Sequence, residues 1–538
     1  MLRRLVASPA VLTFTAGLVA AAAVAIYEIR PFHTGAVDFD SAASVLYFQR
    51  LMGGHRLEAL VGATPKPLLT LLFGGLYSVV PDWRPIIWAT IGAYATTVGL
   101  AAVLARRLAG LGAAAFTIVA LIGSTQWLLD VARGYSIAWA TLGWVIAALA
   151  VSAQRPRYGL AALALFLATL ARVETFVLIG AAIAGLAIWA VLARSGRGLP
   201  PPRRAWLLVA AVFALPIMLL HDQLLTADPI YWLHVSERFS KGASAAIAEQ
   251  GTVTIARWVV GRFIAMGGFA ILSAVGIALL LSKRRWAIAL GVLAATMGLA
   301  GFLVLLAARG TWVPVRYAIP MDLAVLFAAG LGFGALRAPA IPWPWTAGPR
   351  VAVTPGTRSR SRAVAVVLIA VVSASVLWAP AAFASHGDLA RIRHEVRAAA
   401  RADSVVSAIR RAIANVPNGT GTTTASGPTE VTDLAGIMLV VPPLLRPRFA
   451  VDTGIALTRI AGLGGPHFGT PESLVGVSGR IVVHDPVAEG AGPPAFAALE
   501  RPDPVIAGVR LVPLFVDPAQ RIWVYQVPMG ATTDRTRV

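Results

Sequence analysis

Apolar residues in this chain come in long blocks separated by short polar connections. Blocks of membrane-spanning length occupy 10–28, 85–105, 112–130, 134–153, 158–172, 175–193, 205–221, 259–282, 286–308, 318–336 and 363–381. A spanning helix needs about 20 mostly apolar residues, so the pattern predicts eleven transmembrane helices, with 158–172 the shortest. The block 67–80 offers only about 14 residues before Pro81-Asp82-Trp83, a length that reads as a re-entrant or interfacial helix. Beyond residue 382 the pattern changes to that of a small soluble domain. Leu389, Ile392, Val396, Ile409, Ile413 and Val416 roughly keep a helical period. Strand-like runs follow at Gly436–Val441, Arg480–His484, Val509–Val516 and Arg521–Val527. The last two flank Asp517-Pro518-Ala519-Gln520, a turn sequence, and the Gly/Thr-rich stretch Pro417–Gly427 reads as a loop. The predicted fold class is an all-α polytopic membrane protein, residues 1–381, carrying a small α/β domain, residues 382–538.

Composition supports that division. Of 538 residues 57% are hydrophobic and 13% charged, with a mean hydropathy of +0.74. A soluble globular protein carries about 25% charged residues, so a soluble enzyme and a disordered chain are both excluded. There is no cysteine, which removes disulfides, thiolate metal sites and cysteine nucleophiles.

The net charge of +21 would suggest a nucleic-acid partner if it were evenly spread, but it is not. The connections 1–9, 106–111, 154–157, 194–204, 283–285 and 337–362 carry 18 basic residues and no Asp or Glu. The alternate connections and the helix ends beside them carry 13 basic and 12 acidic residues, and the tail 15 and 13. This is the positive-inside bias. It predicts a multi-pass protein of the cell membrane with a cytoplasmic N-terminus and an extracytoplasmic tail. The partners of the positive charge are then anionic membrane lipids, and no nucleic acid is needed. Met1–Ala25 has a basic start like a signal peptide. Its long apolar run without a convincing small-residue cleavage site predicts a retained first helix. The long mixed-charge segments 29–84 and 222–258, with the tail, share the outer face, and any chemistry is expected there.

The first outer segment contains Asp38 and Asp40 just beyond the first helix, then Gly53-Gly54, then Lys66-Pro67-Leu68-Leu69. A carboxylate at such a place can accept a proton from a hydroxyl, and a pair of them can hold a divalent metal. It can equally be solvated or cap a helix starting near Ser41. Lys66 is the only lysine before residue 241 in an arginine-dominated chain, which favours a specific role for its ammonium over plain solvation.

The order of these pieces resembles the opening of GT-C glycosyltransferases, in the branch of protein O-mannosyltransferases and the lipid A aminoarabinose transferase. It is carried by Asp38/Asp40, Gly53-Gly54, Lys66-Pro67-Leu68-Leu69, and the span from Trp83-Arg84-Pro85 to Ala105-Arg106-Arg107-Leu108. Three later segments are similar to family elements: Arg172-Val173-Glu174, Thr226-Ala227-Asp228-Pro229-Ile230-Tyr231, and Arg316-Tyr317-Ala318-Ile319-Pro320. The chain departs from the pattern in having one proline after Lys66 and Asp-Phe-Asp-Ser in place of Asp-Glu. Asp40 falls nearer the family's first acidic position than Asp38. The resemblance covers roughly 1–335 and leaves the tail unassigned.

The resemblance implies a GT-C-like fold and transfer of a sugar, with inversion, from a polyprenyl-phosphate carrier to a glycan, lipid or protein acceptor. Asp40 or Asp38 would serve as base. Lys66 and Arg316, with Arg84 and Arg172 as further cations, would face the donor phosphate. Glu174, Tyr317 and Asp228 would line the same cavity. No cofactor is required, although a divalent metal on Asp38 and Asp40 is compatible with some relatives. Plainer readings stand beside these. Arg316 can snorkel at a helix end, Arg172 can simply pair with Glu174, and Asp130 with Arg133. His221 and His234 read as structural, and Tyr47 and Trp232 as interfacial aromatics. Two rival functions are a transporter or flippase for a lipid-linked glycan, which would place charges at mid-span, and a non-catalytic scaffold presenting the tail.

Overall fold

The computed structural model describes residues 8–29, 37–57, 66–195, 200–234, 251–309, 313, 315–337, 397, 399–414, 438–442, 445–462, 471–474, 479–486 and 494–528. The apolar blocks form helices α1 (Pro9–Ile29), α2 (Phe39–Met52), α3 (Pro67–Val79), α4 (Arg84–Ala109), α5 (Leu111–Ile122), α6 (Thr125–Ala132), α7 (Ile137–Val151), α8 (Tyr158–Ala171) and α9 (Thr175–Arg194). A 3₁₀ stretch (Arg203–Phe213) runs into α10 (Ala214–Thr226). Then come α11 (Thr252–Ala265), α12 (Gly268–Ser282), α13 (Trp286–Leu293), a π turn (Ala294–Gly298), α14 (Leu299–Ala308) and α15 (Ile319–Arg337).

Among the described residues six helices are long and apolar enough to cross a membrane, or eight if each bent pair is one span. Two expected spans are broken. The block 112–130 bends by 60° between α5 and α6, at Gly123-Ser124, and 259–282 bends by 85° between α11 and α12. At the second break Gly267 has φ +44°, a backbone region that side chains with a Cβ rarely enter. The blocks 134–153 and 158–172 are realised as helices of 15 and 14 residues, shorter than a straight crossing requires. The expected span 363–381 lies outside the described residues. Helix α3, 13 residues with Pro67 in its first turn, has the length expected of a re-entrant or interfacial element.

The helices pack through small residues, which let backbones approach where lipid supplies no hydrophobic drive. A Cβ added to Gly17 of α1 would sit 3.0 Å from the Gly99 backbone of α4. On α12 and α15, a Cβ on Gly276 or Gly332 would strike the carbonyl of Ala328 or Leu272.

The tail holds α16 (Ala402–Ala414), α17 (Arg446–Thr453) and strands β1 (Leu439–Val441), β2 (Ile460–Gly462), β3 (Ile481–His484), β4 (Val505–Ile506), β5 (Val509–Arg510), β6 (Val512–Asp517) and β7 (Ile522–Gln526). A five-stranded sheet runs β2-β1-β3-β7-β6. Its first three strands are parallel and its last two join antiparallel, with Val440 opposite Ala461 and Val482 opposite Tyr525. The expected run Val509–Val516 is split, because β5 pairs with β4 while β6 pairs with β7. The turn after β6 forms as the sequence suggests, Asp517 Oδ1 accepting from the Gln520 N–H at 2.9 Å. Of the predicted helical run, Ile409 is buried on α16, while Leu389, Ile392, Val396 and Val416 lie outside the described residues.

One apolar core runs from the membrane helices into this domain, joining Val45 and Leu46 of α2 to Phe449 and Val451 of α17. A polar contact fixes the same junction. Asp452 accepts from Tyr77 Oη of α3 and from Trp83 Nε1, each at 3.0 Å, and from Arg448 Nε at 3.2 Å. The tail therefore leans on the middle of α2, whose first turn carries Asp40, and on the far end of α3, whose first turn follows Lys66.

Candidate functional site

Asp38 is the N-cap of α2, accepting from the Asp40 N–H at 3.2 Å. That is the capping role a short carboxylate performs at a helix start. Its other oxygen pairs with Arg133 Nη1 at 3.2 Å, and its own N–H donates to the Arg133 carbonyl at 2.8 Å. Arg133, 1% exposed, also pairs with Asp130. The Ser41 hydroxyl donates to the Gly134 carbonyl at 2.9 Å. Together these bonds tie the first turn of α2 to the turn after α6. The bend at Gly123-Ser124 delivers that turn here.

Asp40 points the other way, to Lys66, whose Nζ stands 2.6 Å from Oδ2 with both side chains buried. Lys66 is the N-cap of α3, the end of a helix where the macrodipole disfavours a cation. Its ammonium is therefore not there to stabilise α3. Arg316, in the 3₁₀ turn Val315–Ala318 that opens α15, brings Nη2 to 3.9 Å from the same Asp40 oxygen. Its Nε is buried and has no hydrogen-bond partner among the described residues. Arg172, at the C-terminus of α8, donates Nε to Glu174 Oε2 at 3.1 Å, forms a second bond to Oε1, and reaches Ser136 Oγ at 3.3 Å. Here the dipoles cooperate, since a cation ends α8 and a carboxylate begins α9. The rings of Tyr135 and Tyr317 flank Arg172 at 5.2 and 5.5 Å.

Burial alone would push the Asp40 carboxyl up. Lys66, Arg316 and Arg172 outweigh it and hold the group well below the usual carboxylate range. Burial pulls the Lys66 ammonium below its ordinary value, and Asp40 only partly restores it. Glu174 is likewise raised by burial but brought down overall by Arg172. Lys66, Arg172 and Arg316 face Asp40 and Glu174, and with Arg133, Asp38 and Asp130 behind them four cations balance four carboxylates. Arg316 has the least complete pairing, so a buried anion would bring its charge to the Arg316 side of the cluster.

Asp40, Lys66, Arg172 and Glu174, all buried, thus share one cluster with the half-buried Arg316 and Tyr317, and Asp38 lies just behind it. The cluster's contacts are made without Arg84 and Asp228. The Arg84 side chain is 64% exposed beside Asp82. Asp228 sits in the turn after α10, where it accepts from the Ile230 N–H and pairs with His234 at 2.6 Å. Among the described residues no three His, Asp or Glu side chains are placed to hold a metal. Asp38 and Asp40 face different cations, Arg133 and Lys66, so this donor set does not fit a shared divalent ion.

Tyr47 is not an interfacial aromatic. It is buried edge-to-face against His221, ring centres 5.9 Å apart, and His221 is held by Thr70 and Asp222. Trp232 is half-buried, and its backbone N–H donates to Asp222 Oδ2 at 3.1 Å. Two further arrangements escape the sequence pattern. One is Tyr135, whose ring meets three cations. The other is the buried set Arg262, Asp322 and Gln126 linking α11, α15 and α6. A lone Tyr near a helix start and single charges inside apolar blocks give no pattern to read.

No protein family and no curated protein matches the chain. Among solved structures the fold has likenesses that extend over nearly the whole chain. The structures are those of ArnT from Cupriavidus metallidurans, in the apo state (TM-score 0.50) and bound to undecaprenyl phosphate (TM-score 0.51). Each is 14% identical to this chain and covers 97% of it and 98% of the other. The likeness spans the membrane helices and the tail alike.

Proposed function

We propose that the protein is an integral membrane glycosyltransferase that moves a sugar from a polyprenyl-phosphate carrier to an acceptor hydroxyl, with inversion, on the outer face of the membrane. The observation that carries this reading is the convergence of Lys66 and Arg316 on Asp40, with the Arg316 Nε unpartnered among the described residues. A sugar phosphodiester carries one negative charge and leaves as a phosphate monoester with up to two. Fixed cations at that phosphate stabilise the departing group more than the bound donor, which is the requirement for rate enhancement. The undecaprenyl phosphate bound to one structural neighbour is a ligand of that chemistry. The alternation of basic and mixed-charge connections supports the outer-face placement.

The same geometry suggests how Asp40 becomes a base. With Lys66 at 2.6 Å the carboxylate is stabilised and a poor proton acceptor. An arriving phosphate competes for Lys66 and Arg316, which releases Asp40 toward the acceptor. The acceptor oxygen then bonds to the anomeric carbon as the bond from that carbon to the phosphate oxygen breaks. The electron pair of the broken bond stays on the phosphate, and the hydroxyl proton passes to Asp40. Arg172 and Glu174, bound to each other across two helix ends, hold the wall of the site. The transporter reading calls for charges at mid-span. Asp322 lies instead in the first turn of α15, on the same helix end as Arg316.

The test is sugar transfer by purified protein in lipid nanodiscs, supplied with polyprenyl-monophosphate sugars. Wild type should release polyprenyl phosphate, and Asp40→Asn should bind the lipid and lose about 10²–10⁴-fold in rate, the usual worth of a positioned base. Full transfer by Asp40→Asn would rule out this mechanism.

A further inference from the structure

Tyr135 has no role in the reaction as derived above, yet it is the residue on which the cations meet. Its ring centre lies 5.3 Å from Lys66 Nζ, 5.2 Å from Arg172 Cζ and 5.2 Å from Arg316 Cζ. The side chain is 1% exposed. Its backbone is equally fixed, its N–H donating to the Asp130 carbonyl at 3.0 Å. Gly134 before it has φ +74°, and a Cβ there would come within 3.3 Å of Ile86. The turn is braced by Arg133 between Asp38 and Asp130. Nothing in this arrangement leaves the ring free to move aside.

Three like charges around one point repel one another. A carboxylate at this point would offset the repulsion but occupy the donors an incoming anion needs. An aromatic face attracts cations through its quadrupole while accepting none of their in-plane N–H bonds. A phenol ordinarily titrates only near pH 10 (about three units above neutrality), so the ring is neutral. We propose that Tyr135 is a positioning residue whose neutral ring holds Lys66 and Arg316 convergent on one phosphate while leaving their N–H donors to it, with Arg172, bound to Glu174 and Ser136, packed against the same ring. This rests on the donor-phosphate reading above.

The test reads binding of polyprenyl phosphate to purified full-length protein, as a Kd. It uses Tyr135→Phe, Tyr135→Leu, and a series with mono-, di- and trifluorophenylalanine incorporated at 135. Fluorine withdraws the electron density that attracts cations and barely changes ring shape, so a purely packing role would not respond to it. Tyr135→Phe should bind within about 3-fold of wild type, because the ring and not the hydroxyl is used. Tyr135→Leu should weaken binding by about 10-fold or more, and Kd should rise stepwise with each added fluorine. A flat fluorine series overturns the proposal even if the leucine variant fails to fold, as does Tyr135→Phe binding as weakly as Tyr135→Leu. Wild type that binds lipid normally beside a flat series defeats Tyr135 alone, whereas wild type that binds no polyprenyl phosphate defeats the functional reading on which the proposal stands.

Discussion

Replacing Lys66 with methionine removes one charge and little volume, and the surrounding geometry sets the consequences. Asp40 loses a partner at 2.6 Å and keeps Arg316 at 3.9 Å, too far for a hydrogen bond. A charged hydrogen bond is worth about 1.5–3 kcal/mol. The Asp40 carboxyl should therefore rise from its depressed value. The desolvation that pushes it up remains in full. The sign is set by that depressed folded value. In wild type the contribution of the pair to stability is complete above the unfolded carboxylate value, about 3.9, and is lost only as pH falls through the lower folded value. Lys66→Met should therefore lose stability and activity at a higher pH than wild type as the medium is acidified. The same lost bond would cost about 10- to 150-fold in affinity for a donor phosphate. Lys66→Arg should not restore it, because a planar fork replaces a compact ammonium. The assay pairs lipid-donor binding and transfer rate near neutral pH with the stability of the folded protein followed down to about pH 2, the range in which the Asp40 limb falls. Unchanged donor affinity together with an unmoved acid limb would refute the placement of the phosphate at Lys66.

Arg133→Ala should leave Asp38 and Asp130 as close, buried carboxylates and destabilise the protein by about 3–5 kcal/mol, seen as poor recovery of folded protein from membranes, and Arg133→Lys should recover part of it. Asp452→Ala should cost about 1–3 kcal/mol at the junction between tail and membrane helices by stranding the Tyr77 and Trp83 donors. Hydrogen exchange should then quicken at 77–83 and 446–453 together, and a change confined to one side would mean the contact couples nothing. The chain has no cysteine, so single cysteines report topology without background. Those after 204, 285 and 360 should be shielded from an impermeant thiol reagent, and those after 240 and 390 labelled, and the reverse pattern would move the site to the cytoplasm.

Much of this was legible because a membrane imposes a strong rule, that apolar blocks must be long. The helices fall where the blocks do, and the ordered motifs selected Asp40, Lys66, Arg172, Glu174, Arg316 and Tyr317, which the fold gathers from four separate regions of the chain. Hydropathy says nothing of backbone direction, so the bends at Gly123 and Gly267 were invisible, and with them the delivery of Asp130, Arg133 and Tyr135 to the site. Asp38 and Asp40 look alike in sequence. Cap geometry separates them, turning Asp38 to Arg133 and Asp40 to Lys66. Tyr47 reads as an interface aromatic because a tyrosine near a membrane boundary usually is one, and only its packing against His221 shows otherwise. In the tail, β2 is three residues long and α17 is polar and proline-started, so neither carries a period to detect.

The functional reading stands or falls on whether a lipid phosphate binds where Lys66 and Arg316 converge. A cryo-EM structure of the protein in nanodiscs with polyprenyl phosphate tests it directly. The phosphate should lie within hydrogen-bond distance of Lys66 Nζ and the Arg316 guanidinium, with the Lys66–Asp40 contact loosened. A phosphate bound elsewhere, with the 2.6 Å Lys66–Asp40 pair intact, would contradict it.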